Sequence, residues 1–438
     1  MVIPESENGL VHSIKFSSVG PGYATGSDVV YEPSGFDLAM KLHYLTGVYV
    51  FRSHAVQGLT TKLIKETMFY WLNDYYVTCA RFRRSETGRP YLKCNDCGAR
   101  FIDAQCEKTV EELLEMKDYG SIQKQLVYHQ PVGPELSFSP PIYLQVTWFK
   151  CGGMSFGLSW AHVLGDAFSA VDFINKWGQV LATIRACGQP SLPKLSPTRP
   201  SLRIQKSGIS PKPANPISVK RVDPVGDHWV TANNCKMDTF SFHLTSTQVS
   251  HLQSKIKDPH QIPAFESLCA IIWQCIAKIR HGFGPNIVTV CRKGSENGKL
   301  ASNIQIVSAF EADFSVGEVD LEKLAEVLCE KAGMDERSLI EEAMEKENGV
   351  MDLVFYGASL TFVNWEEANV YGLELNGEKA DFGSYTIQGV GDEGTVIVLP
   401  GAKDSDKARF VTIILPEDQL LKLKPELRMN GLLLETNL

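Results

Sequence analysis

The stretch Ser159-Trp160-Ala161-His162-Val163-Leu164-Gly165-Asp166 constrains this chain most, because it sets an imidazole and a carboxylate four residues apart directly behind an apolar run. The segment from Pro141 to Lys150 reads as a strand, and Gly152-Gly153 followed by Met154 to Trp160 reads as its hairpin return. His162 then leaves the end of a buried strand. Beyond it Phe168, Val171, Phe173, Ile174 and Trp177 recur at helical spacing, which places Asp166 at a helix start, where negative charge is favoured. Two roles fit the pair. His162 can be a general base with a structural carboxylate, suited to deprotonating a hydroxyl or amine that attacks an activated acyl group. It can equally be a buried imidazole beside a helix cap. H-x-x-x-D alone does not choose between them.

A chain of 438 residues, 44% apolar and 21% charged, has room for two or three domains or one large bilobal unit. A net charge of −8 speaks against a broad nucleic-acid footprint, so no nucleic-acid partner is expected. Eleven scattered cysteines without a basic, apolar leader at Met1 to Leu10 point to reduced thiols and a cytosol-facing protein. The most apolar run, Leu268 to Ile279, is too short to span a membrane and is interrupted by Gln274.

Strands are expected at Val11 to Val19, Tyr49 to Phe51, Tyr91 to Cys94 and Ala99 to Ile102, with helices at Leu59 to Tyr76 and Thr109 to Met116. Seven prolines between Gly188 and Pro216 mark a semi-extended linker. Past it, strands are expected around Thr239 to Leu244, Val288 to Val290, Gln305 to Val307, Leu360 to Val363, Thr395 to Leu399 and Phe410 to Leu415. Helices are expected at Ser246 to Lys257, Ala264 to Arg280, Leu321 to Ala332 and Asp335 to Lys346. The resulting division is 1–187, a linker at 188–217, and 218–438.

Other motifs carry little chemistry. Cys94-x-x-Cys97 has no second ligand pair at usable spacing, so no metal is expected. Gly389-Val390-Gly391-Asp392-Glu393-Gly394 spells G-x-G-x-x-G but runs into a strand and carries two acids that would repel a phosphate. Asp381-Phe382-Gly383 matches a kinase tripeptide, yet no H-R-D precedes it.

Leu144-Gln145-Val146-Thr147, Phe149-Lys150-Cys151-Gly152-Gly153 and Gly157 through Asp166 resemble the centre of the plant BAHD acyl-CoA-dependent acyltransferases. Asp37-Leu38, Ala80-Arg81-Phe82 and Cys94 through Ala99 extend the resemblance over essentially the whole chain. It implies an α/β fold of two similar mixed-sheet lobes, of the CoA-dependent acyltransferase type, joined by a crossover loop, with His162 in a solvent channel between them. It further implies that His162 is the general base, that Asp166 is structural and held by an Arg of the second lobe, and that Trp365 supports the oxyanion. No residue is assigned to cofactor binding. Acyl-CoA is the implied substrate or ligand, with no resident cofactor.

The departures are specific. The Asp-Phe-Gly-Trp-Gly signature falls on Glu374-Leu375-Asn376-Gly377-Glu378, with Lys379-Ala380 where Lys-Pro is usual. The clamping Arg falls on Cys291, with Arg292 one residue out and on the opposite strand face. Ala167 replaces a Gly, and of an aromatic-Gly-Asn signature only Asn303 remains. These departures, with Leu38-Ala39-Met40-Lys41-Leu42-His43-Tyr44, Lys93 through Asp96 and Cys235-Lys236-Met237, resemble the Eceriferum and Glossy-type wax clade. That resemblance implies promotion of very-long-chain fatty acid elongation for cuticular wax, acting with the elongase condensing enzyme and without the family's usual acyl transfer. The implied ligand is a very-long-chain acyl group or acyl-CoA. The implied location is the cytosolic face of the endoplasmic reticulum through the partner, otherwise the cytoplasm, as a monomer outside that complex. The alternative is an acyl-CoA-dependent O- or N-acyltransferase with His162 as base.

Overall fold

The computed structural model describes residues 9–26, 28–116, 118–187, 215–256, 262–281, 284–295, 302–330, 335–402 and 405–433. Most of the proline-punctuated linker at 188–217 lies outside the described residues. The chain forms two six-stranded mixed sheets, and the strand signals read from sequence populate them, except that Tyr91 to Cys94 falls in a separate three-stranded sheet with Val30–Tyr31 and Arg81–Arg84. The first sheet runs Val11–Val19, Ala99–Cys106, Ile142–Phe149, Met154–Ala161, Tyr44–Phe51, Phe382–Gln388. The second runs Met237–Leu244, Ser405–Pro416, Thr395–Ala402, Leu360–Asn364, Ile287–Arg292, Ile306–Glu311.

The second sheet is buried on both faces, and its period-two alternation shows how. Val288 and Val290, Phe362, Val396 and Val398, and Val411 and Ile413 pack in one core with the helices Ala264–Ile279 and Leu321–Glu330. Their strand neighbours Cys291, Val363, Ile397, Leu399 and Phe410 face the other way, into the core shared with the first sheet. Near-continuous apolar runs such as Phe410 to Leu415 follow from this double burial.

One strand crosses between the halves. Phe382–Gln388 pairs antiparallel with Tyr44–Phe51, so the span 218–438 does not belong wholly to the second sheet. Its Tyr385 ring lies where a Cβ on Gly47 would be, and its hydroxyl bonds that of Tyr49 at 2.9 Å. Asp381, which opens this strand, pairs with Arg52 at 2.8 Å, so the kinase-like tripeptide is a sheet-entry feature.

Candidate functional site

The hairpin expected around Gly152-Gly153 forms, with Ile142–Phe149 and Met154–Ala161 in antiparallel register. His162 leaves the second strand into a single 3-10 turn, His162–Leu164, and Asp166 precedes the helix Ala167–Cys187. A Cβ on Gly165 would stand 2.9 Å from the Ser302 nitrogen, so this corner must be glycine for the second-lobe backbone to approach.

Asp166 is fully engaged by main chain. Its Oδ1 accepts the Ser169 N–H at 3.1 Å, which caps the helix, and its Oδ2 accepts the Ile304 N–H at 2.8 Å. Its own N–H donates to Ser302 O at 3.1 Å. Burial lifts its carboxyl to about 6 in spite of these amide donors. Asp166 makes no ion pair among the described residues. Arg292 instead meets Glu266 at 3.1 Å and Leu328 O at 3.1 Å, and Lys293 lies 3.7 Å from Glu367. The guanidinium clamp that the resemblance implied is therefore replaced by the backbone of 302–304, and Cys291 sits buried between Val307 and Val363 in register.

His162 is 0% exposed, so the channel implied between the lobes does not open onto its imidazole. Its N–H donates to His43 O at 3.1 Å, and its carbonyl accepts from Asn303 Nδ2 at 3.0 Å. Its Nε2 lies 2.9 Å from the Tyr356 hydroxyl, which also bonds Gln305 Oε1 at 3.0 Å. Nδ1 is buried without a hydrogen-bond partner among the described residues. Burial lowers the imidazole to about 4, and it is neutral at pH 7. The single Tyr356 proton goes to Gln305 Oε1, so the Nε2 contact is an Nε2–H donating to the Tyr356 oxygen, and Nε2 has no free lone pair.

Trp365 follows the strand Leu360–Asn364 and donates its main-chain N–H to Val398 O at 2.9 Å, and its side chain is buried in the core shared with the first sheet. The rewritten segment keeps a structural task. Glu374–Leu375 and Glu378–Lys379 pair around Asn376-Gly377, whose φ angles of 54° and 79° are those of a two-residue hairpin turn. Arg185 of the helix after Asp166 donates to Asn376 Oδ1, and Asn376 Nδ2 donates to Gln57 O at 3.2 Å.

Tyr356, Gln305 and the ring of His43 are site residues that spacing did not reveal. Of the three, only His43 carried a signal, through its place in the Leu38 to Tyr44 motif.

A profile described as the transferase family matches residues 30–286. The Arabidopsis thaliana protein ECERIFERUM 26 is 42% identical over 431 residues, covering 97% of each chain. The chain belongs to the BAHD transferase family. Among solved structures, vinorine synthase superposes on this BAHD chain with a TM-score of 0.68 at 16% identity, covering 96% of this chain and 98% of its own. F. graminearum TRI101, complexed with coenzyme A and deoxynivalenol, does so with a TM-score of 0.66 at 12% identity, covering 91% and 97%. Both share the α/β two-lobe fold, and the second is a coenzyme A complex. Within that BAHD frame the His-to-Asp corner of this chain is built, but its imidazole is sealed.

Proposed function

We propose that this BAHD protein promotes very-long-chain fatty acid elongation for cuticular wax, acting with the elongase condensing enzyme and without the family's usual acyl transfer. The observation that carries this reading is the closed imidazole: His162 has no exposed surface and its Nε2 is engaged by Tyr356. A general base must reach the proton it abstracts, directly or through one water. The near full-length likeness to ECERIFERUM 26 supports the wax-clade assignment. A very-long-chain acyl group or acyl-CoA is the ligand class, which the coenzyme A complex of TRI101 supports. Association with the cytosolic face of the endoplasmic reticulum goes through the partner; no helix among the described residues is long and apolar enough to cross a membrane. Asp166 is structural in this reading, and the chain divides functionally into 1–187, a crossover at 188–217, and 218–438.

The second reading is an acyl-CoA-dependent O- or N-acyltransferase with His162 as base and Trp365 supporting the oxyanion, favoured by the presence of His162, Asp166 and Trp365 together. Co-expression with an elongase condensing enzyme separates the two. Acyl-chain lengths are measured with the wild-type chain and with His162→Ala. The accessory reading expects the longer products to persist in the variant. Their disappearance, with the variant folded and expressed, would sink the accessory reading without catalysis.

A further inference from the structure

We propose that Tyr356 is a rigid plug over His162 and that Lys41-Leu42-His43 is the latch that holds it in place. The proposal rests on the non-catalytic reading of this site and gives it a structural cause. Every polar atom of Tyr356 is engaged. Its N–H points at His43 Nε2 (3.4 Å), beside the stronger Phe355 N–H bond to the same nitrogen (2.9 Å). Its carbonyl accepts the Gly391 N–H at 2.9 Å, and its hydroxyl joins Gln305 Oε1 and His162 Nε2. The His43 ring stands edge-on to the Tyr356 ring, with centroids 5.1 Å apart.

The approach to Tyr356 is fixed just as firmly. The Lys41 ammonium, almost wholly buried, pairs with Asp352 at 2.7 Å and donates to Val350 O at 3.2 Å and Met351 O at 3.0 Å. Asp352 in turn accepts the Val225 N–H at 2.7 Å. A buried ion pair whose ammonium is also bound by two main-chain carbonyls specifies one backbone path, and removing one partner leaves the other charge stranded. The Leu38 to Tyr44 motif therefore acts on His162 twice: the His43 carbonyl receives the His162 N–H, while the Lys41 and His43 side chains set the segment that covers its ring. Held by these contacts from both sides, Tyr356 is a fixed wall, in contrast to a loop that swings aside.

Carbethoxylation of the full chain with diethyl pyrocarbonate, read peptide by peptide by mass spectrometry, tests this without any substrate. His54, His228 and His251 are exposed and serve as internal references. In the wild type, His162 is expected to react at least about tenfold more slowly than these, since access requires local opening. Tyr356→Ala is expected to bring His162 towards the reference rate. Tyr356→Phe, which keeps the ring, is expected to leave it shielded. Should the alanine variant not fold, Tyr356→Val retains more packing and gives the same readout. Reaction of wild-type His162 at the reference rate overturns the plug, as does a folded alanine or valine variant in which His162 stays unreactive. The outcome is separable from the elongation test. A shielded His162 with His162-dependent elongation would keep the plug and sink the accessory reading; a reactive His162 with elongation indifferent to His162→Ala would do the reverse.

Discussion

The two ends of one eight-residue stretch are held in opposite ways. At the Asp166 end the partners are main-chain groups of Ser169, Ser302 and Ile304, which most residues at those positions supply, with the Ser169 hydroxyl also tying down Ser302. At the His162 end the imidazole is met by the side chain of Tyr356, itself set by Gln305 and His43. The difference explains how a second lobe can lose the clamping Arg and the aromatic-glycine signature while the corner stays intact. Backbone donors preserve geometry through substitution, whereas the chemistry of His162 depends on which side chain arrives above it.

The strongest way to break this contrast is Asp166→Ala, which strands two buried amides and removes a helix cap. A loss of about 3 kcal/mol is expected in urea unfolding. A loss near zero would mean that the Asp166 end is not wired as described.

The pH dependence of stability sharpens it next. The Asp166 carboxyl is raised from 3.8 to about 6, so the fold favours its protonated form; that contribution is full below 3.8 and is lost as pH rises through 6. The His162 imidazole is lowered from 6.5 to about 4, so the fold favours its neutral form, and stability rises with pH between about 4 and 6.5. The two slopes oppose each other across that window, each amounting to roughly 3 kcal/mol at about 1.4 kcal/mol per pH unit. Relative to the wild type, Asp166→Asn should make stability rise from pH 4 to 6, and His162→Gln should make it fall. Parallel wild-type and variant curves in chemical denaturation at stepped pH would contradict both assignments.

Tyr356→Phe should cost about 1 kcal/mol, because one hydroxyl serves two buried partners. The smallest expected effect concerns Arg292. Since it pairs with Glu266, Arg292→Ala and Asp166→Asn should add within about 0.5 kcal/mol in a double-mutant cycle. A larger coupling would restore the guanidinium clamp.

Much of the scaffold was legible locally. The alternating runs around Gly152-Gly153 and the helical spacing after Asp166 each became the element their pattern implies. The strand Phe382–Gln388 was not legible, because its pairing partner is the distant Tyr44–Phe51 and its first residues imitate another motif. The helix Tyr119–Leu126 carries Gly120 in its first turn and is only eight residues long, and Pro425 interrupts the pattern of Leu420, Leu423 and Leu427 in the helix Glu417–Met429.

By itself the sequence determined a strand that ends in His162 and a helix that starts at Asp166, since both follow from side-chain periods over a few turns of chain. Only the tertiary structure decided what lies against the imidazole. Tyr356 is 194 residues away from His162, and a contact across that separation is set by how two sheets and the segment between them pack, which no local period encodes.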